Sequence, residues 1–277
     1  MSTTSLLVFL LCGLAAAAAA GTATAEGGDD RVARDLELLS GRTVFFGHQS
    51  VGANLLDGMR ELAARHGVAL RIEERNRVAG LAPGTLGHVL LAENGDPLRK
   101  LRSFDAALEP GASPDLALMK FCYVDVGAET DVSALFDRYQ ATLRELKVRH
   151  PRTTFVHVTA PLTTNQAGLM AMAKWMLGRP PAGLLENARR EELSDLLRRA
   201  YQGREPLFDL ARIESTAPDG TTATASWKGR AVAGLIGAYT DDGGHLNQEG
   251  RARAARALVA VLAAAPSSSA PTPLKGR

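Results

Sequence analysis

The chain has 277 residues, 45% of them hydrophobic and 22% charged, the balance of a globular protein with apolar material for one substantial core. Its 32 Lys and Arg nearly cancel its 30 Asp and Glu, leaving a formal charge of +2, so the basic surface that phosphate backbones require is missing and nucleic acid is not an expected partner. Two cysteines, Cys12 and Cys122, supply neither a disulfide framework nor zinc-ligand spacing.

The chain opens on an apolar run, Leu6 to Ala20, followed by small residues ending in Ala23-Thr24-Ala25. The run is short for a bilayer span and has the layout of a signal peptide over residues 1–25, predicting export to the periplasm or beyond. Because Met1 to Ser5 contain no Lys or Arg, an uncleaved membrane anchor is the alternative. Cys12 follows Phe9, Leu10 and Leu11, which suits no lipoprotein attachment site, and cleavage would leave Cys122 alone.

After a polar lead-in from Glu26 to Arg31, short apolar runs alternate with amphipathic stretches, the pattern of parallel strands joined by helices. Strands are expected at Thr43–Phe46, Val68–Ile72, Leu116–Phe121, Thr154–Val158 and Leu207–Leu210. Helices are expected at Val51–Ala63, where apolar residues recur at helical spacing, and at Leu98–Leu108, Val132–Val148, Leu185–Tyr201 and Gln248–Leu262. Glu73 to Ser113 is rich in Gly and Pro, and apart from the helix at Leu98–Leu108 it reads as a long irregular crossing of the sort that often carries function. Thr163 to Leu184, with Met170, Met172, Trp175 and Met176, reads as pocket wall, although such an apolar stripe more often belongs to a core. A Ser/Pro-rich tail, residues 265–277, is expected to be disordered. With no repeat and no linker, residues 26–264 form one expected α/β domain of about 235 residues.

In open parallel sheets ligands bind beyond the carboxyl ends of the strands. Gly47-His48-Gln49-Ser50 ends the first strand and presents a hydroxyl at a helix start, where unpaired N–H groups can stabilise an alkoxide or an oxyanion. A serine there could equally be an ordinary N-cap. Near the other end of the chain, Asp242-Gly243-Gly244-His245 offers a carboxylate to orient an imidazole, and the imidazole could serve as base to a serine. The plain alternative is a loop whose Asp and His satisfy backbone groups before Asn247 caps the last helix.

From Thr43 to Leu262 the sequence resembles the GDSL/SGNH hydrolases, most specifically in Asp242-Gly243-Gly244-His245-Leu246-Asn247 with Gly250, which is similar to that family's Asp-x-x-His-Leu-Asn-x-x-Gly block. The resemblance implies a flavodoxin-like three-layer α/β/α sandwich of about five parallel strands. It implies Ser50 as nucleophile, His245 as general base and then acid, and Asp242 as the orienting carboxylate, with Asp241 at the wrong spacing.

Two blocks depart from the family. Gly47-His48-Gln49-Ser50 stands where Gly-Asp-Ser is usual, and Cys122-Tyr123-Val124-Asp125 puts Val124 in the place of an oxyanion-hole Asn. Gly80, in Asn76-Arg77-Val78-Ala79-Gly80, resembles the family's backbone oxyanion donor. Asn94, in an Asn-Gly sequence that is also a turn signal, is the candidate side-chain donor, and His48 is a candidate substrate contact. Neither His-x-x-x-His nor Cys-x-x-Cys spacing occurs, and glycine-rich nucleotide motifs are missing, so no metal and no cofactor are expected. The reading is an exported serine esterase acting on a small-molecule or polysaccharide ester, without an obligate protein partner. An acyltransferase with the same triad, or an inactive glycan-binding module on the same fold, are the alternatives.

Overall fold

The structure is a computed structural model that describes residues 28–109 and 111–266; the expected signal peptide and nearly all of the expected tail lie outside them. A six-stranded sheet forms the centre, in the order β2-β3-β1-β4-β5-β6, with every neighbouring pair parallel. Its strands are β1 Thr43–His48, β2 Arg71–Glu74, β3 Thr85–Leu90, β4 Leu116–Met119, β5 Thr154–Val158 and β6 Leu207–Phe208.

Helices cover both faces. On one lie α1 (residues 28–40), α2 Ser50–Arg65 and α8 Gln248–Ala264; on the other lie α3 Pro97–Ala107, α4 Val132–Arg149 and α6 Leu184–Tyr201. Two apolar clusters fill the layers, one around Leu55, Met59 and Leu258, the other around Phe45, Phe104 and Leu146. Alternate residues of β1 feed them: Val44 and Phe46 pack with the first cluster and Phe45 with the second, as the period-2 geometry of a strand requires.

The helices α2 and α8 pack at close range. A Cβ added at Gly58 would come within 2.6 Å of the Arg251 carbonyl oxygen, so that position tolerates only glycine, and Glu61 on α2 is ion-paired to Arg251 on α8. Between β5 and α6 the chain makes an excursion carrying α5, Gly168–Met176. Between β6 and α8 it forms α7, Leu210–Ser215, and an antiparallel hairpin of β7 Thr224–Trp227 and β8 Arg230–Ala233.

The three-layer sandwich agrees with the sequence reading, and the differences are local. Six strands replace the expected five, because β3 is added between β2 and β1. Glu26 to Arg31 is not all polar lead-in, since residues 28–40 are helical and that helix buries Val32, Leu36 and Leu39. The apolar residues of α5 are not core: none of that helix is buried.

Candidate active site

The carboxyl ends of β1, β3 and β4 converge with the start of α2 and the loop before α8. Gln49, not Ser50, is the N-cap of α2, and it makes no side-chain capping bond. Its amide Nε2 instead reaches across to the carbonyl oxygens of Leu91 and Ala92, just past β3. Ser50 therefore stands at the first helical position. Its hydroxyl has no hydrogen-bond partner among the described residues, which separates it from an ordinary capping serine. The N–H groups of Ser50 and Val51 belong to the turn that α-helical geometry leaves unpaired, while Gly52 N–H bonds back to the Gln49 carbonyl at 2.7 Å.

The loop before α8 is tightly constructed. Asp242 Oδ1 accepts the N–H groups of His245 at 2.8 Å and Gly244 at 2.9 Å, while Oδ2 accepts the His245 Nδ1–H at 2.6 Å. A carboxylate partner on Nδ1 fixes the tautomer, leaving the Nε2 lone pair as the available base. These donors, the His245 side chain first, hold the Asp242 carboxyl well below the ordinary Asp range. Asp241 instead accepts from Asn247, and Asn247 Oδ1 caps α8 through the Gly250 N–H at 3.1 Å.

This loop is docked on α2. Leu246 N–H donates to Asn54 Oδ1 at 3.2 Å, and Asn54 lies four residues after Ser50, on the same helical side. Tyr123, just past β4, sets its ring edge-on to the His245 imidazole with centroids 5.7 Å apart. A Cβ at Gly244 would lie 3.0 Å from that ring, so the glycine lets the loop lie flat against it. Arg190 on α6 holds the Tyr123 carbonyl with a 2.9 Å bond from Nε. Asn54 and Tyr123 are functional neighbours that the sequence reading missed. Their available signals were a polar residue one turn beyond the serine and an aromatic at a strand's carboxyl end.

Two expected site residues lie elsewhere. Gly80 is not near Ser50: it follows Val78, whose N–H bonds to Ala107 at the end of α3, and precedes Gly84, whose N–H bonds to Arg42 ahead of β1. The connection from β2 to β3 must return to the amino end of the sheet, and it takes Gly80 with it. His48 does not face a substrate. It is 1% exposed, beneath Gly52, where an added Cβ would land within 2.4 Å of it. Its Nδ1 donates to the Gln49 carbonyl at 3.1 Å, which leaves Nε2 to accept from His88 Nδ1, also at 3.1 Å. Burial pushes the His48 pKa down to about 3.

Asn94 does lie at the carboxyl end of the sheet, just past β3. Its side-chain oxygen accepts from Lys100 Nζ at 2.6 Å, and its NH2 group is bonded to no described residue. Lys100 also pairs with Asp125 at 2.7 Å, both side chains fully buried, and Asp125 accepts the Gly95 N–H at 2.8 Å. Val124, by contrast, is 47% exposed and lies at the rim. Among the described residues, no cluster of three or more His, Cys, Asp or Glu side chains could hold a metal ion.

Comparison with solved structures bears on the fold that carries this arrangement. Over 90% of this chain and 99% of the other, it matches a Streptococcus pneumonia protein named for platelet activating factor, at 16% identity and a TM-score of 0.50. The shared fold is a three-layer α/β/α sandwich built on a parallel sheet. An acetyl xylan esterase, AlAXEase, matches at 15% identity with a TM-score of 0.47, over 79% of this chain and 98% of that one. A lipase/acylhydrolase from Enterococcus faecalis matches at 13% and 0.46, over 80% and 95%. No family model and no curated protein sequence matches. At these identities the likeness is one of fold, and chemistry has to be read from the residues.

Proposed function

We propose that the chain is a serine esterase that works through an acyl-enzyme on Ser50. The observation that carries this reading is the Asp242–His245 pair, docked through Asn54 onto the helix whose first residue is a serine with an unpartnered hydroxyl. His245 Nε2 takes the Ser50 proton as Oγ attacks the ester carbonyl carbon, then returns it to the leaving alkoxide when the C–O bond breaks. Water, deprotonated by the same imidazole, attacks the acyl-serine, and Ser50 recovers its proton as the acid departs.

The oxyanion would be held by the N–H groups at the start of α2, joined by Ala92 N–H and Asn94 Nδ2–H beyond β3. Gln49 positions that peptide by gripping the carbonyls on either side of the Ala92 N–H. Hydrolysis is favoured over transfer because the side chains of His245 and Asp242 are 39% and 56% exposed, leaving the base open to water. The leader-like residues 1–25 support export, and acetylated polysaccharides or lipid esters are the substrate classes we put forward.

A fluorophosphonate probe should label Ser50, and Ser50→Ala should lower hydrolysis of p-nitrophenyl acetate by at least about 10³-fold without a change in fold. A folded wild-type protein that neither takes the label nor hydrolyses the ester would overturn the reading.

A further inference from the structure

The helix α5 and its capping residue Leu177 present Leu169, Met170, Met172, Trp175, Met176 and Leu177 to solvent, with Leu169 84% and Met176 75% exposed. Isolated exposed apolar residues are commonplace, but six within nine positions form a contiguous surface that marks an interaction site. Its neighbour is the β7–β8 hairpin: Trp175, Pro180, Leu185 and Trp227 line a cleft of about 630 Å³ between them.

Charge narrows the choice of partner. Residues 163–185 and 220–240 contain no Asp or Glu, while Lys174, Arg179, Lys228 and Arg230 contribute four cations. The acids on the far side of the hairpin are Glu129 and, on α6, Glu191, Glu192 and Asp195; Glu192 is paired with Arg189, Asp195 with Arg198, and Glu191 accepts the Ala233 N–H. The two tryptophans of the chain are Trp175 and Trp227, a residue type that favours the membrane interface. No described helix can cross a bilayer, and nine residues fall far short of the roughly 20 a span needs, so the geometry suits a helix lying in the interface plane.

The patch is rooted at the catalytic centre. Thr164, four residues before α5, donates its N–H to the Gly243 carbonyl at 2.9 Å, between Asp242 and His245. Exposed Val124 and Leu98 add apolar surface at the same end of the sheet.

We propose that α5 and the β7–β8 hairpin form a docking surface for an anionic lipid bilayer, seating the catalytic end of the molecule on the headgroups. Apolar side chains would enter the interface while the four cations meet the lipid phosphates.

Because both tryptophans lie in the patch, their fluorescence reports on it directly and not on residues 6–20. The full chain carrying Ser50→Ala, in which ester chemistry is silenced, is titrated with phosphatidylglycerol vesicles and with phosphatidylcholine vesicles. The expected result is a blue shift and quenching by brominated lipid with phosphatidylglycerol, reversed by high salt, and about a tenfold loss of affinity in Met172→Ser/Met176→Ser. Emission that ignores phosphatidylglycerol overturns the proposal. So does an equal response to both lipids, or a patch occupied by a second copy, seen as a concentration-dependent dimer that the same double variant dissolves. None of these outcomes depends on whether Ser50 is a nucleophile.

Discussion

Asp242 does three jobs with two oxygens: it closes the loop through two N–H groups, fixes the imidazole tautomer, and would offset the charge His245 gains during attack. Asp242→Asn keeps the shape but loses the charge, and its NH2 group can face the imidazole. We expect kcat to fall by about 10² to 10³-fold with KM little changed, less than for a buried carboxylate because this one is half exposed. Steady-state kinetics over a range of ester concentrations would check this; a KM effect alone would assign Asp242 to substrate binding. The pair was legible in the sequence because all its members lie within four residues. Tyr123, Asn54 and Gln49 were not, since their roles depend on which strand ends and helix turns come together in space.

At the level of elements, the start of α3, the loop after β3 and the turn after β4 are joined by one buried pair, Lys100 and Asp125. Lys100→Met would leave the Asp125 carboxylate without its cation in a dry site, costing about 3–5 kcal/mol. Urea denaturation should show this as a lowered midpoint with little change in slope, and an unchanged midpoint would mean that water reaches the pair. Alternating apolar and amphipathic runs disclosed all five expected strands to within three residues at each end. They failed at β3, where Gly87 and His88 interrupt the apolar pattern of an interior strand. That omission misplaced Gly80: once β3 lies between β2 and β1, the strand end beside Ser50 is the one leading to Ala92 and Asn94. The apolar composition of α5 was legible, but its exposure was not, because periodicity separates faces of a helix without saying what covers them.

For the molecule as a whole, His48, His88 and His157 are shifted towards the neutral form, chiefly by burial. In the folded protein they resist protonation; in the unfolded chain they take up protons below about pH 6.5. The unfolded state thus binds more protons, and stability falls as pH drops from about 6.5 towards the His48 value of about 3. Glu214 works in the opposite sense. Burial pushes its pKa up to about 8, so above the ordinary Glu range the unfolded state sheds its proton first and stability declines as pH rises towards 8. Unfolding free energies at pH 4, 5 and 6, values chosen to lie roughly within the first window, should rise with pH. His48→Gln should flatten that slope by up to about 1.4 kcal/mol per pH unit; an unaltered slope would show that His48 is already charged in the folded state. The close seating of α8 on α2 at Gly58 carries a temporal consequence. Ser50 and His245 are roughly 200 residues apart in the chain, so at about 5–20 residues per second the nucleophile is synthesised some 10–40 s before its base. The proposed chemistry is thereby withheld from the nascent chain, and a protein cut short before His245 would lack the proposed base.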